Sequence, residues 1–291
     1  MILDYLSQIK VNVGIFSNKK TEGLLDGSYK SVFRGSSMNF EDLREYVPGD
    51  SIRDIDWKAT SRSRKPLVKR YVAEKQHNIL LVFDSGKKML ADTPSEMCKK
   101  ELAILAGGTI AYIAAKNGDS VGSIYCYGDM IRHFQFKQGL YNVERILSAY
   151  DGDAGKEASY TLERSIDYII QNIRRSMVII IITDYEGTSH VTEGMIKILK
   201  SRHDIMFVNI KDASLTGGLS YNVDGEQYVP KFISSNKKLM KMENNMRVAL
   251  EQREENRLKR LGVASTALEE REDITKKVVE LLEKHKYANV R

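Results

Sequence analysis

The sequence predicts an α/β protein built on a doubly wound, mainly parallel sheet with an antiparallel hairpin at one edge. Three observations predict it. Asn78-Ile79-Leu80-Leu81-Val82-Phe83, Met177 to Thr183 and Ile205 to Ile210 are continuous apolar runs of strand length, the pattern of strands covered on both faces. Segments with helical signals lie between them, and strands alternating with helices make a parallel sheet. Two of the runs end on a carboxylate, Asp84 and Asp184, and in an open parallel sheet ligands bind beyond the carboxyl ends of the strands.

Each element has its own signal. Ile2, Leu3, Tyr5, Leu6 and Ile9 predict a short amphipathic helix. Pro48-Gly49-Asp50 is a turn, and Pro66 to Val72 alternates as an edge strand. After the strand ending at Asp84, a helix is expected over about Pro94 to Lys116, stopped by Asn117-Gly118-Asp119. Ser120 to Tyr127 and Ile131 to Phe136 form a hairpin around Gly128-Asp129. Helices are expected from about Tyr160 to Asn172 and from Thr192 to Ser201, and Tyr221 to Val229 reads as a second hairpin with an Asp-Gly turn. Leu239, Met242, Met246 and Leu250 repeat at helical spacing, a stripe expected to pack on the sheet, with a partner-binding helix as the alternative. Gly262 breaks that helix, and Thr266 with Glu269 reads as the capping box of a last one carrying Ile274, Val278, Leu281 and Leu282. The chain is thereby divided into an N-terminal segment 1–75, a sheet domain 76–235 and a helical segment 236–291.

Composition narrows the function. The chain has 291 residues, 42% of them hydrophobic and 29% charged, an ordinary globular balance. The longest nearly apolar stretch, Ala103 to Ala115, is too short to span a bilayer. The start MILDYLSQIK has no basic region followed by an apolar core, as a secretory signal would. Cys98 and Cys126 fit neither a metal pattern nor a disulfide framework. A cytoplasmic location is the expectation by elimination. Of the net charge of +6, a concentrated part lies in Lys58, Arg62, Arg64, Lys65, Lys69 and Arg70. Such a strip is expected to be solvated or paired with Asp50, Asp54, Asp56 and Glu74; phosphate or nucleic-acid binding is the alternative, without an aromatic stacking motif or helix-turn-helix to support it. No P-loop, nucleophile elbow or His/Cys cluster is present, and His77, His133, His190, His203 and His285 are scattered.

Asp84 and Asp184 converge if their strands are neighbours. With Ser85 and Thr183 they would form an oxygen-rich site of the kind that takes Mg²⁺. A von Willebrand factor A domain builds its metal site so, from Asp-x-Ser-x-Ser, a Thr and a distant Asp. Asp84-Ser85-Gly86-Lys87-Lys88 departs from it, with Gly86 and Lys88 where the serines belong, and Ala158-Ser159-Tyr160-Thr161 offers only an ambiguous Thr. A lysine ammonium repels a divalent ion and can take its position between the carboxylates. The expectation is therefore no cofactor, with Asp84 and Asp184 capping helices or holding Lys88; Mg²⁺ on Asp84, Ser85 and Asp184 is the alternative.

The polar block in front of the sheet is the most specific signal. It runs Arg34-Gly35, Phe40, Leu43-Arg44-Glu45-Tyr46, Pro48-Gly49-Asp50, Arg53, Ile55-Asp56-Trp57-Lys58, and holds the single tryptophan. Arginines here can pair with Asp50, Asp54 and Asp56 bidentately, and Trp57 can serve as an apolar anchor, as a clasp on the sheet domain or as a recognition surface. This block, with Gly118-Asp119-Ser120-Val121-Gly122 and Arg202-His203-Asp204-Ile205, resembles the DUF58 family in its short type without membrane spans. The resemblance implies a von Willebrand factor A-like domain and a non-enzymatic role: an adaptor or co-chaperone for a MoxR-type AAA+ ATPase and its client protein. Asp84, Ser85, Gly86, Lys88 and Asp184 are then the partner-binding face. A metal-dependent hydrolase at Asp84 and Asp184 is the competing class.

Overall fold

A computed structural model of the chain describes residues 5–15, 19–33, 42–50, 52, 55–63, 65–70, 76–156, 161–216, 221–222 and 227–288. They fall into two compact units, residues 30–75 and residues 1–29 with 76–291. In chain order the elements are α1 (Tyr5–Ile15), α2 (Lys19–Phe33), β1 (Asp42–Glu45), α3 (Trp57–Ser63), β2 (Leu67–Arg70), β3 (Asn78–Phe83), a 3₁₀ turn at Lys87–Leu90, and α4 (Lys99–Lys116). Then come β4 (Ser120–Tyr127), β5 (Met130–Lys137), α5 (Leu140–Asp153), α6 (Thr161–Asn172), β6 (Val178–Asp184), α7 (Tyr185–His190), α8 (Glu193–Lys200) and β7 (Asp204–Ile210). The chain ends with β8 (Tyr221–Asn222), β9 (Gln227–Tyr228), α9 (Lys231–Ser234), α10 (Lys237–Arg260), β10 (Ala264–Leu268) and α11 (Ile274–Ala288).

The larger unit is the expected doubly wound sheet. Its six strands lie in the order β10-β7-β6-β3-β4-β5. All neighbours are parallel except β4 and β5, the edge hairpin. The chain leaves β3 toward β4 on one side and returns to β6 on the other, so the strand order reverses between β3 and β6. Alternate residues of each buried strand enter opposite layers. Leu80, Val82, Ile179 and Ile181 meet Leu162, Ile166, Ile169, Ile196 and Leu199 of α6 and α8. On the other face Phe83 stacks on Tyr150 of α5, ring centroids 4.4 Å apart. Helix α4 lies on that face and is apolar nearly all round, because α1, α5 and α11 pack on it as well. Gly107 and Gly108 make that possible: a Cβ on Gly107 would lie 2.7 Å from Phe83, and one on Gly108 would overlap the Ile9 side chain of α1.

Sequence motifs around the sheet find physical reasons. Gly118 ends α4 with φ +80°. Buried Asp119 accepts from the Tyr29 hydroxyl at 2.6 Å and the His77 amide at 2.8 Å, tying α2 and the start of β3 to the end of α4. A Cβ on Gly122 would lie 2.8 Å from the Phe134 carbonyl.

The structure corrects three expectations and adds helices that the sequence did not predict. Thr266 and Glu269 are no capping box: Ala264–Leu268 is the sixth strand, parallel to β7, and α11 starts at Ile274. A strand this short, flanked by helix signals, carries little periodic signal of its own. Helix α4 starts at Lys99 rather than Pro94, after a turn in which Asp92 bridges to Cys98. Helices α2 and α5 have no counterpart in the sequence reading. The stripe Leu239, Met242, Met246 of α10 faces solvent, not the sheet; the helix docks instead through Leu258 and Glu254. The predicted hairpin is present as β8 and β9, its Asp-Gly turn outside the described residues. Of the N-terminal helix, Ile2 and Leu3 lie outside them too, while Tyr5 and Ile9 are buried.

In the smaller unit the expected edge strand is β2, and its antiparallel partner is β1. Ile55 bridges to Val68, and the Asp56 amide donates to the Leu67 carbonyl at 2.9 Å. Nothing in this unit is a long element, so side chains close its turns.

Candidate strand-end site

Register brings the two carboxylates together. Phe83 of β3 pairs with Ile182 of β6, and the Asp84 amide donates to the Ile182 carbonyl at 2.9 Å. Asp84 and Asp184 therefore emerge side by side at the point where the strand order reverses. Both are buried, and buried carboxylates need partners. The 3₁₀ turn after β3 returns the chain by four residues, and the Lys88 ammonium lies 3.0 Å from Asp84 Oδ2 and 2.9 Å from Asp184 Oδ1. Thr161 donates to Asp84 Oδ1 at 2.8 Å and Thr183 to Asp84 Oδ2 at 2.7 Å. The Gly187 amide donates to Asp184 Oδ1 at 2.7 Å, making Asp184 the N-cap of α7.

A second lysine completes the arrangement. Buried Lys99, first residue of α4, reaches Asp184 Oδ2 at 2.8 Å and also pairs with Asp212. The site is thus a chain of alternating charge, Asp84–Lys88–Asp184–Lys99–Asp212. Burial lowers the pKa of both lysines, but their carboxylate partners outweigh it, holding Lys88 well above and Lys99 above the usual ammonium value. Burial pushes Asp184 up, and Lys99 and Lys88 overcome it, leaving that carboxyl well below the usual range.

The expected site residues are distributed as follows. Asp84, Lys88 and Asp184 converge, and the Gly86 amide donates to Asp84 Oδ1 at 3.2 Å. The Ser85 hydroxyl is turned away and donates to the Cys126 carbonyl at 2.7 Å. Among Ala158 to Thr161, Thr161 is the hydroxyl that meets Asp84. Lys99, Asp212 and Gly187 were missed. Asp212 carries the same signal as Asp84 and Asp184, since it follows the apolar strand ending at Ile210. Lys99 had none: only the fold shows that it starts α4 beneath the strand ends. A Cβ on Gly187 would fall on Thr183 Oγ1, with Lys88 Nζ 2.7 Å and Asp84 Oδ2 2.8 Å away, so glycine is required for α7 to close over the pair.

What this arrangement can do follows from its occupied lone pairs. Asp84 accepts four donors and Asp184 three among the described residues. A divalent ion bound between them would have to displace an ammonium. No group of three His, Cys, Asp or Glu side chains able to hold a metal ion occurs among the described residues. At the rim of the site Lys87 and Leu90 are exposed beside Lys88.

The polar block closes turns within the smaller unit. Arg44 pairs with Asp50, whose other oxygen takes the Val47 amide at 3.0 Å across a turn that needs Gly49 at φ +112°. Tyr46 donates its amide to the Pro66 carbonyl at 2.9 Å. Asp56 caps α3, accepting the Lys58 amide at 3.0 Å and the Ala59 amide at 2.9 Å. Trp57 is 66% exposed, which corrects its expected role as an apolar anchor. Lys58 and Arg62 are exposed, and Lys65 pairs with Glu45. Arg34, Phe40, Arg53, Asp54, Arg64 and Glu74 lie outside the described residues.

The family described as "protein of unknown function DUF58" matches residues 42–259. Uncharacterized proteins of Mycobacterium tuberculosis and Mycobacterium bovis are each 23% identical over 199 residues; the alignment covers 67% of this chain but only 61% of theirs. Among solved structures, an aerotolerance-related membrane protein from Bacteroides fragilis aligns at a TM-score of 0.43 and 14% identity, over 72% of this chain and 99% of that one. A von Willebrand factor type A protein from Catenulispora acidiphila aligns at 0.38 and 9% identity, over 73% and 43%. No helix among the described residues is long and apolar enough to cross a membrane.

Proposed function

From the premise that this chain belongs to the DUF58 family, we propose that it is a non-enzymatic protein-interaction module, an adaptor or co-chaperone for a MoxR-type AAA+ ATPase in the assembly or maturation of another protein. Its docking face is the rim of the strand-end site, and it works without a metal ion or other cofactor. The observation that supports this reading is Lys88, whose ammonium lies within 3.0 Å of both strand-end carboxylates where a divalent ion would otherwise sit. A fixed internal cation gives the face a rigid, ion-independent shape. A hydrolase at Asp84 and Asp184 would need a metal-bound or base-activated water, and the carboxylates that would generate one are already engaged by lysine ammoniums, hydroxyls and backbone amides.

The test has two parts. Calorimetric titration with Mn²⁺ is expected to give no heat of binding; stoichiometric binding abolished by Asp84→Asn would overturn the metal-free reading. Purification of the native protein with ATP hydrolysis blocked is expected to bring down an AAA+ ATPase. The rim variants Lys87→Glu and Leu90→Asp should weaken its binding by about tenfold or more, as central interface residues do. Retention of nucleic acid instead, with no ATPase, would overturn the adaptor reading.

A further inference from the structure

Helix α10 has a face that the sheet does not use. Its first half exposes Leu239, Met242 and Met246 at 38%, 50% and 71%. Followed at spacings of three and four, the same face continues through Arg253, Arg257 and Arg260, so one side of the helix changes from apolar to cationic along its length. The cationic half borders a cleft of about 660 Å³ between α10 and α7, lined by Ser189, Arg253, Glu254, Asn256, Arg257 and Arg260.

The cleft is built rather than incidental. Arg257 is fixed, donating to the Val191 carbonyl at 2.7 Å, the Thr188 carbonyl at 2.6 Å and Glu254 Oε2 at 2.6 Å. Glu254 is buried, and its two oxygens are taken by Arg257 and by the Nε of Arg253. Its charge is therefore neutralised inside. The Arg253 and Arg260 side chains remain 67% and 69% exposed, and Arg260 pairs at the surface with Glu193 of α8. Helix α10 carries eight Lys and Arg against four Glu. On this face the apolar side chains lie at one end and the arginines at the other, with exposed Lys237, Lys238 and Lys241 flanking the apolar end.

We propose that this face docks an amphipathic helix of a partner protein, which lays an apolar stripe on Leu239, Met242 and Met246 and sets carboxylates into the cleft against Arg253 and Arg260. Methionine-rich faces accept such helices by repacking. Charge selects this occupant. A second copy of the chain would bring arginine onto arginine if parallel, or apolar residues onto guanidiniums if antiparallel. A membrane surface is flat, whereas the arginines line a concave cleft. The proposal is independent of the Lys88 rim.

The experiment is selection of displayed helical peptides, about 18 residues or five turns long, on the full chain. Enriched peptides are expected to carry apolar residues at i, i+3, i+4 and i+7 followed by Asp or Glu. Met246→Glu and Arg260→Gln should each weaken their binding by about tenfold or more, with unchanged melting temperature because the Arg260 pair with Glu193 lies at the surface, and the arginine effect should diminish with added salt. Peptides without acidic bias, or indifferent to both substitutions, would overturn the proposal. So would phosphatidylglycerol vesicles that sediment the wild type but not Met246→Glu, which identifies a membrane, or a dimer in sedimentation equilibrium lost in Met246→Glu, which identifies a second copy.

Discussion

An ammonium 3.0 Å from one buried carboxylate and 2.9 Å from another holds charges that could not otherwise share the end of a sheet. Removing one partner of a buried ion pair leaves the other uncompensated, a loss of about 3–5 kcal/mol. Lys88→Met is expected to lose that much in urea unfolding near neutral pH. The pH dependence has a definite sign. The Asp184 pKa is depressed, so its contribution is present above the ordinary value of 3.8 and is lost as pH falls through the folded value. The Lys88 pKa is raised, so its contribution is present below 10.5 and is lost as pH rises through the folded value. Between those limits the wild-type pair contributes a constant amount. In Lys88→Met a carboxyl of the pair can take up a proton instead, so the gap to wild type should shrink as pH falls from about 7 to about 4.5; a constant gap would count against the ion-pair account. Gly187→Ala crowds the same site from α7 and should cost about 1–3 kcal/mol, measured by the same unfolding curves. Gly23→Ala in α2, where a Cβ meets nothing within 4 Å, is the control and should be neutral or stabilising.

Helices α4 and α10 both carry apolar side chains, yet α4 buries its own in the core while the 239–246 stripe of α10 stays exposed. Helix α4 is covered on every side, and its two glycines are the points of closest approach. Gly108→Ala pushes against Ile9 and Leu147, so hydrogen exchange in Tyr5–Ile15 should accelerate while the sheet stays protected. Exchange rising equally everywhere would mean that α1 is not separately anchored there. Helix α10 touches the larger unit through a different line of residues from its sequence stripe. Leu258→Ala, at a fully buried position, should cost about 2–5 kcal/mol. Met246→Glu should stay within about 0.5 kcal/mol of wild type. Chemical denaturation of the two variants distinguishes the faces. The periodicity of residues 239–250 revealed an apolar face, but not what covers it, because period 3.6 is a property of the helix alone.

At the scale of the molecule, residues 30–75 form a unit of their own, held by short strands, turns and an exposed helix. A unit this small buries little of its surface and is marginal by itself. Its single tryptophan reports on it selectively, since the larger unit has none. Thermal unfolding followed by Trp57 fluorescence is expected to precede the far-UV transition of the large sheet. Coincident transitions would show one cooperative unit instead.

The sequence by itself determined the doubly wound sheet, its edge hairpin and the placing of Asp84 and Asp184 at strand ends, and the pairing of β3 with β6 made them converge. Strands buried on both faces must be continuously apolar, and residues that end two adjacent parallel strands must meet. It also supplied Lys88 as a candidate occupant, because an ammonium four residues after a carboxylate can fold back on it. Tertiary structure alone decided the rest. Lys99 and Asp212 joined the cluster because α4 and β7 end beside it, at separations of 85 and 113 residues that no local pattern encodes. β10 became a strand because β7 offered an unpaired edge, overriding a capping signal. Trp57 and the stripe of α10 stayed exposed because burial is a property of what packs against a residue, and local sequence carries the residue's chemistry without the identity of its neighbour.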